Sequence, residues 1–165
     1  MAVLDRLINK KDRIFLKIAK NVSEFSTCVS FKVGSIIVKN NRIISTGYNG
    51  TPTGCHHCYD MFPGYCGSPD ERERHHKWSQ QYEIHSEINN ILNAAKMGIA
   101  INDSVMYCTL LPCNDCLKAI CNAGIKAVYF SNIYDKTVLS LGVLEMLNQR
   151  KVQLINAGDD DIIKG

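Results

Sequence analysis

The sequence predicts an α/β fold with three layers, in which a mixed sheet of five strands lies between helices. Two observations predict this fold class. The first half contains two β-branched runs typical of a hairpin, and the second half alternates helix and strand three times. Such alternation implies right-handed crossovers and a sheet that is at least partly parallel. With no evident repeat or linker, residues 1–165 are expected to form a single domain.

The first elements are a helix and a hairpin. Apolar residues recur at helical spacing over 12–25, and Asp12 is a plausible N-cap. Residues 33–38 and 42–47 are rich in β-branched side chains, and Asn40-Asn41 between them is a turn signal.

Residues 48–80 show no periodicity and are dominated by Gly, Pro, Cys and His as far as Gly67. We treat about 50–82 as an insertion. An irregular stretch of this length is unusual in a compact domain unless it is functional or is held by something such as a metal ion.

Regular structure is expected again from His85, where one helix face would carry Ile88, Ile91, Leu92 and Ala95, with Gly98 as the stop. The rest of the chain then alternates strands and helices. They are a strand at 105–110, a helix at 113–123 ending before Gly124, a strand at 125–130, a helix capped by Asp135 with Val138, Leu141, Leu144 and Leu147 on its buried face, and a strand at 152–155.

Composition limits the function classes. The chain is 45% hydrophobic and 21% charged, which is globular. Its 19 basic and 16 acidic residues give a net charge of +3, too little for a dedicated nucleic-acid binder. No apolar run approaches the roughly 18 residues of a membrane span, and the N-terminus lacks a signal-peptide pattern. We therefore expect a soluble, intracellular protein.

Eight cysteines are unusual for such a chain. Three of them lie with four of the five histidines between Cys55 and His76. In an intracellular protein, clustered Cys with nearby His indicates metal binding rather than disulfides.

Two short motifs carry chemistry: His85-Ser86-Glu87, and Pro112-Cys113-Asn114-Asp115-Cys116. Each is expected to begin a helix, so that Cys113 and Cys116 point the same way. Two thiolates and one imidazole leave a fourth zinc position open, as in catalytic sites, and zinc lowers the pKa of water toward 7. Glu87 could then move protons beside the metal. Alone, the Cys-x-x-Cys pair could be a redox pair or half of a structural zinc site, and the histidine a core residue. Together, the motifs are the signature of zinc nucleobase deaminases.

The sequence resembles the deoxycytidylate (dCMP) deaminase family, especially its phage and bacterial branch, over nearly the whole chain. The matching segments are Cys28-Val29-Ser30-Phe31-Lys32-Val33-Gly34, 42–52 with Gly47-Tyr48-Asn49-Gly50, Trp78-Ser79, 83–87, Met106-Tyr107, 112–116, Gly124-Ile125-Lys126 and Tyr134-Asp135-Lys136. This chain has His-Ser-Glu where many members have His-Ala-Glu, which adds one hydroxyl and should leave the ligands undisturbed.

The resemblance implies a cytidine-deaminase-like fold whose first two strands are antiparallel. It implies that dCMP and water give dUMP and ammonia, which supplies the precursor of dTMP, in the cytoplasm (of the host, if a phage encodes the chain). By the same resemblance His85, Cys113 and Cys116 bind the catalytic zinc and Glu87 shuttles protons.

A second, structural zinc is also implied, with Cys28, Cys58, His75 and Glu83 as ligands. Such a metal would supply the folding energy that the insertion, with little apolar content, lacks. The residues leave other candidates open. They are Cys55, His56, His57, Cys66 and His76. A set that includes both Cys55 and Cys58 would displace Glu83, because zinc prefers soft ligands.

For the substrate, the resemblance places Asn49 near the sugar and Tyr134 near the phosphate. Asn49 could equally support the bend at 47–50, and Tyr134 could be a half-buried aromatic. The resemblance also implies a hexamer that dCTP activates and dTTP inhibits, with magnesium on the triphosphate and an effector site around Gly47, Tyr48, Asn49 and Gly50. Relatives have an aromatic residue and an arginine where this chain has Asn93 and Lys96, and a lysine cannot reproduce a bidentate arginine contact. That departure bears on the switch.

Three other functions compete with this hypothesis. A deaminase of tRNA or single-stranded DNA would need a basic groove and stacking aromatics, which one Trp and a charge of +3 disfavour. A deaminase of free cytidine would lack phosphate contacts. A nucleotide sensor without turnover would have no use for Glu87.

Overall fold

A computed structural model describes residues 4–5, 8–134 and 137–158. The five expected strands are confirmed, and a two-residue strand that we did not predict extends the sheet at one edge. The elements in chain order are β1 (Leu4–Asp5), α1 (Lys10–Ser23), β2 (Gly34–Lys39), β3 (Arg42–Tyr48), α2 (Cys58–Met61), α3 (Pro69–Tyr82), α4 (Ser86–Lys96), β4 (Val105–Leu110), α5 (Asn114–Asn122), β5 (Ala127–Asn132), α6 (Leu141–Gln149) and β6 (Gln153–Asn156).

The sheet is mixed, with the strand order β1-β6-β5-β4-β2-β3. Strands β4, β5, β6 and β1 are parallel, whereas β2 pairs antiparallel with both β3 and β4. The predicted hairpin is therefore present. Its turn residues Asn40 and Asn41 have φ of 53° and 60°, the left-handed pair that a two-residue hairpin turn requires.

Helices cover both faces of the sheet, as predicted. Helix α1 packs on one face, where Leu16 and Ala19 meet Ile36 of β2. Helices α5 and α6 pack on the other, where Leu117 and Leu147 belong to one buried cluster with Ile37. Because successive strand residues point to opposite faces, the neighbouring Ile36 and Ile37 serve the two cores separately. Each such fully buried side chain stabilises the fold by about 1.5–3 kcal/mol. No helix in the described part of the chain is long and apolar enough to span a membrane.

Two of the predicted helix starts are wrong. Helix α1 begins at Lys10 with Asn9 as its N-cap, and Asp12 is the reciprocal partner in that capping box. Asp12 also accepts a hydrogen bond from the buried Tyr107 hydroxyl at 2.8 Å. Helix α6 begins at Leu141 with Ser140 as its N-cap, while Asp135 lies outside the described residues.

Two of the predicted buried faces are also wrong in part. Val138 and Leu141 are exposed and precede or begin α6, whose buried residues are Val143 and Leu147. In α4 the buried residues are Ser86, Glu87, Asn90 and Ala94, whereas Leu92 and Ala95 face outward. The periodicity of apolar residues misplaced the α4 face because this helix turns polar side chains toward the sheet.

The insertion contains more regular structure than expected. Helix α3 spans fourteen residues that we predicted to be irregular. It has almost no apolar face, so periodicity did not indicate it. The local signal was a capping box: Ser68 and Glu71 cap each other, and Pro69 occupies the first helical position. The insertion is closed at its base by paired backbone hydrogen bonds between Gly50 and Ile84.

Two glycines allow helices to lie directly on the sheet. A Cβ at Gly47 would come within 2.3 Å of the Ser86 carbonyl oxygen and 2.6 Å of the Asn90 nitrogen, and one at Gly34 would lie 2.3 Å from the Ala19 carbonyl. Gly47 therefore sets the distance between β3 and α4, and Gly34 sets the distance between β2 and α1.

We predict that Gly47→Ala lowers the free energy of unfolding of the metal-loaded protein by about 3 kcal/mol, because rigid backbone must move to admit the methyl group. Gly142→Ala is the matched control, since its Cβ would meet nothing within 4 Å. It should raise stability by about 0.5 kcal/mol through the lost freedom of the unfolded chain. Urea unfolding followed by circular dichroism measures both, and equal stability of the two variants would contradict the packing role of Gly47.

Candidate metal centre and active site

Two helix starts meet at one edge of the sheet. His85 occupies the N-cap position of α4, and Cys113 that of α5. Helix α5 follows the carboxyl end of β4, and Ser35 at the start of β2 donates to the carbonyl of Ser86 at 3.0 Å. The partial positive charge of both helix N-termini is thus directed at the same place, where it favours anionic groups such as thiolates.

His85, Cys113 and Cys116 form a group that can hold a metal ion, with their donor atoms all within 4.8 Å of one another. The His85 Nδ1 atom lies 3.5 Å from the sulfur of Cys113 and 3.5 Å from that of Cys116. A tetrahedral zinc with ordinary Zn–S and Zn–N bonds separates such donors by about 3.5 Å. Three protein donors leave one coordination position for water or substrate, so these residues fit a catalytic zinc.

The protonation of this group without metal follows from its hydrogen bonds. A hydrogen bond from Cys116, and another from His85, lower the pKa of Cys113 to about 4. The same contacts raise the pKa of Cys116, because its proton bonds to the Cys113 thiolate, and that thiolate raises the pKa of His85 to about 9. At pH 7 the metal-free group therefore holds one thiolate, one thiol and one imidazolium.

Glu87 lies in the first turn of α4 and is almost fully buried. Burial raises the pKa of its carboxyl group, and the Ser86 hydroxyl donates to Oε2 at 2.9 Å. Below it, polar contacts join α4 to the hairpin: Asn90 Nδ2 donates to the Ser35 hydroxyl at 3.1 Å, and the Ser45 hydroxyl donates to the Asn90 carbonyl at 3.0 Å. These contacts fix the rotation of α4 that directs Glu87 inward.

A second group brings together Cys28, Cys58, His75 and Glu83, again with donor atoms within 4.8 Å. The Cys28 sulfur lies 3.4 Å from His75 Nε2. Glu83 Oε1 is buried and has no hydrogen-bond partner in the described part of the chain. Four donors and an unpaired buried carboxylate oxygen fit a closed, structural zinc site. Cys28 lies in the loop after α1, which ends at Ser23, rather than at the end of the helix itself.

The insertion packs around this second group. Phe62 contacts the rings of His75 and Trp78 at centroid distances of 5.3 and 5.6 Å, and Tyr65 lies 5.7 Å from His75. Burial raises the pKa of Cys28 and raises that of Cys58 to about 12, while it lowers the pKa of His75. Without metal, both thiols are therefore protonated and the imidazole is neutral at pH 7.

The alternative ligands lie elsewhere. Cys55 and Cys66 are exposed, and the Cys66 thiol donates to Glu71 at 2.9 Å. His56 and His76 are exposed, and His57 stacks on Tyr59. Among the described residues, none of these five belongs to a group of close metal donors.

Asn49 is buried, and its amide bonds to the preceding loop. Its Oδ1 accepts from the Val33 nitrogen at 2.8 Å, and its Nδ2 donates to the Phe31 carbonyl at 2.9 Å. The amide thus holds the 31–33 backbone rather than the 47–50 bend. Tyr134 is half-exposed, with its ring 5.1 Å from that of Phe31.

Sequence reasoning missed Asn114. Its amide donates to the Val138 carbonyl at 3.0 Å and accepts from the Ser140 nitrogen at 3.0 Å, so it ties the segment before α6 to the start of α5. Its position inside the Cys113–Cys116 motif was the available signal, since an amide there can reach backbone on both sides of a neighbouring loop.

Comparisons with known proteins agree with this site. Residues 9–132 match the family model described as the cytidine and deoxycytidylate deaminase zinc-binding region. The deoxycytidylate deaminase of Enterobacteria phage T4 is 43% identical over 73% of this chain and 77% of its own, and that of phage T2 is 38% identical over 87% and 95%.

A solved structure is similar over nearly its whole length. It is the dCMP deaminase of cyanophage S-TIM5 in complex with dCMP and dUMP, which has a TM-score of 0.71 and 32% identity, and the match covers 92% of this chain and 98% of that one.

We predict that zinc loading at pH 7 releases about four protons per chain. The first group must lose one from His85 and one from Cys116, and the second must lose one each from Cys28 and Cys58. Zinc affinity should accordingly weaken as pH falls, because protons compete for the same donors. Calorimetric titration in buffers of different ionisation enthalpy measures the number released.

Cys28→Ser should reduce the release to about two protons, whereas Cys66→Ser, outside both groups, should leave four. A release of two protons or fewer from the unaltered protein would show that the described donor sets or their protonation are wrong.

Proposed function

Because the chain belongs to the cytidine and deoxycytidylate deaminase family, we propose that it hydrolyses dCMP to dUMP and ammonia and so supplies the precursor of dTMP. The observation that carries this proposal is the group of His85, Cys113 and Cys116 beside the buried carboxyl of Glu87. The phage relatives named deoxycytidylate deaminase support dCMP as the substrate, as does the cyanophage enzyme that binds dCMP and dUMP.

We assign His85, Cys113 and Cys116 as the ligands of a catalytic zinc. Zinc held there supplies Lewis-acid activation of the attacking water. The chain supplies the rest of the electrostatics: the N-termini of α4 and α5 stabilise the thiolates, and the closely packed Cys108 and Leu117 keep bulk water away from the floor of the site.

Glu87 acts as the proton carrier. It accepts a proton from the water as the bond between oxygen and C4 of cytosine forms, and it passes that proton to ring nitrogen N3. It then takes the remaining proton of the new hydroxyl and delivers it to the amino group, so that the C4–N bond breaks and ammonia leaves. The raised pKa of this buried carboxyl group favours both directions of transfer near neutral pH.

For the second group we propose a structural zinc bound by Cys28, Cys58, His75 and Glu83. Its support is the closed set of four donors and the unpaired Glu83 oxygen. The metal would join the loop after α1, helices α2 and α3, and the residue two places before His85. In this arrangement the insertion is attached to the segment that carries the catalytic ligand.

For substrate contacts we propose, following the family, that Asn49 faces the sugar and Tyr134 the phosphate. One hydrogen of the Asn49 amide is committed to the Phe31 carbonyl, which leaves the other for a sugar oxygen. Gly50, next to Asn49, pairs with Ile84, next to His85, and this adjacency supports the assignment of Asn49.

We also propose control by nucleoside triphosphates, with dCTP as activator and dTTP as inhibitor, magnesium on the triphosphate, and the segment 47–50 as the effector site. Gly47 touches α4 directly, and Asn89 donates to the Tyr48 carbonyl at 2.8 Å. A ligand on this segment would therefore act on the helix that carries Glu87. Asn93 contacts Ser45 of β3, and Lys96 is exposed.

The chain is further proposed to form a homo-oligomer, a hexamer as in the family. Exposed apolar side chains on and near α4 support this, among them Leu92 and Met97. Apolar side chains on one exposed helix face are typical of subunit contacts.

The deaminase proposal is tested by the loss of ultraviolet absorbance on dCMP by zinc-loaded protein. The unaltered protein should turn over dCMP, and Glu87→Gln should reduce kcat at least about 1000-fold, because the proton carrier is lost. Zinc content must be equal in both. Faster turnover of cytidine than of dCMP, or turnover only of RNA or single-stranded DNA, would contradict the proposal.

The same assay with dCTP or dTTP and magnesium tests regulation. Activation by dCTP and inhibition by dTTP are expected. A response to dCMP that is flat toward both nucleotides would show that the switch is absent.

The second zinc is tested by Cys58→Ser against Cys55→Ser. Cys58→Ser should bind one zinc per chain instead of two and should melt at a lower temperature, because the metal energy that orders the insertion is lost. Cys55→Ser should keep two zinc ions and the original melting temperature. Loss of zinc from the Cys55 variant would instead indicate the alternative ligand set. Metal analysis and thermal unfolding give both results.

A further inference from the structure

Two exposed aromatic rings lie against each other at the edge of the sheet that carries the site. Phe31 and Tyr134 contact edge-to-face, with ring centroids 5.1 Å apart. Phe31 is 51% exposed and Tyr134 is 37% exposed. They come from different parts of the chain, since Phe31 precedes β2 and Tyr134 follows β5.

Phe31 is tied to the side of the site that carries His85. Three residues after it, the Gly34 nitrogen donates to the Thr109 hydroxyl of β4 at 3.1 Å, and the Ser35 hydroxyl donates to the carbonyl of Ser86. Ser86 directly follows His85. The ring of Phe31 therefore stands a few residues from the start of α4.

Tyr134 is tied to the side that carries Cys113. It lies two residues after Asn132, whose carbonyl accepts a hydrogen bond from the Leu111 nitrogen at 2.8 Å. Leu111 is two residues before Cys113. The ring pair thus spans the opening between the segments that deliver His85 and Cys113.

The backbone under Phe31 is held from behind by Asn49. The buried amide binds the carbonyl of Phe31 and the nitrogen of Val33, so both hydrogen bonds lie within three residues of the loop. The carbonyl of Asn49 also accepts from the Ser26 hydroxyl at 2.8 Å. An exposed ring whose backbone is fixed in this way is preorganised to receive a flat ligand.

We propose that Phe31 and Tyr134 form an aromatic wall at the mouth of the site, that the nucleoside part of the substrate packs against Phe31, and that Asn49 is a positioning residue that holds this wall. The identity of the ligand, dCMP, rests on the proposed function. Aromatic side chains bind the π-faces of bases in this way without reading hydrogen bonds. Phe31 would then set affinity rather than the rate of the chemical step.

The first test is equilibrium binding of dCMP to zinc-loaded Glu87→Gln protein, which prevents turnover. Adding Phe31→Ala should weaken binding about tenfold, whereas Phe31→Trp, which keeps a ring, should stay within about threefold. In the active protein Phe31→Ala should raise KM for dCMP about tenfold with kcat within about threefold. Phe25→Ala, another exposed aromatic remote in sequence from both rings, serves as the matched control and should leave effector-free KM unchanged.

An unchanged dCMP affinity in the Phe31→Ala variant at equal zinc content overturns the proposal, and so does a loss of kcat at constant KM. If the protein binds dCMP but does not deaminate it, the deaminase proposal fails while the binding experiment still decides the role of Phe31. If dCMP does not bind at all, both proposals fail.

The second test separates a positioning role of Asn49 from a direct sugar contact. Asn49→Ala should weaken dCMP binding in the presence of Phe31 but cause no further loss in the Phe31→Ala background, because the wall is already gone. The loss should be the same for 2′,3′-dideoxycytidine monophosphate, which lacks the sugar hydroxyl. A loss that is additive with Phe31→Ala, or that vanishes with the dideoxy ligand, overturns the positioning role. Binding of two zinc ions and an unchanged melting temperature confirm that the variant is folded.

Discussion

The contact between α4 and β3 at Gly47 is the constraint on which the site depends. With no room for a Cβ, the helix backbone lies directly on the strand, and the remaining contacts are hydrogen bonds among Ser35, Ser45 and Asn90 rather than apolar packing. Hydrogen bonds are directional, whereas an apolar face tolerates rotation and sliding. The helix is therefore held in one rotation about its axis. That rotation puts Glu87 inside the fold and His85 at its first turn.

This arrangement also explains which features the sequence could predict. The hairpin and the starts of α4 and α5 depend on local signals, such as Asn40-Asn41 and the residues around His85 and Cys113. The inward face of α4 could not be predicted from hydrophobic periodicity, because its buried residues include Glu87 and Asn90. The N-cap of α1 was misassigned because Asn9 and Asp12 belong to one capping box and either can be taken for the cap.

Other features required knowledge of contacts between distant segments. Helix α3 offers no apolar stripe, so only its capping residues announced it. The residues Cys28, Cys58, His75 and Glu83 have no spacing that marks them as one group, and a family resemblance rather than local chemistry singled them out from five alternatives. The role of the Asn49 amide could not be foreseen either, because its partners belong to a loop that precedes it by sixteen and eighteen residues.

The bridge between Gly50 and Ile84 has a consequence for how such a chain can change over generations. It brings the two ends of the insertion side by side, so the segment 51–83 leaves and rejoins the sheet-and-helix body at almost one point. A loop closed at its base can gain or lose residues at small entropic cost, since closure depends only weakly on length. Additions or deletions here would spare the cores on both faces of the sheet. The insertion is thus the part of the chain where evolution can exchange one attachment for another while the hydrolytic apparatus stays intact.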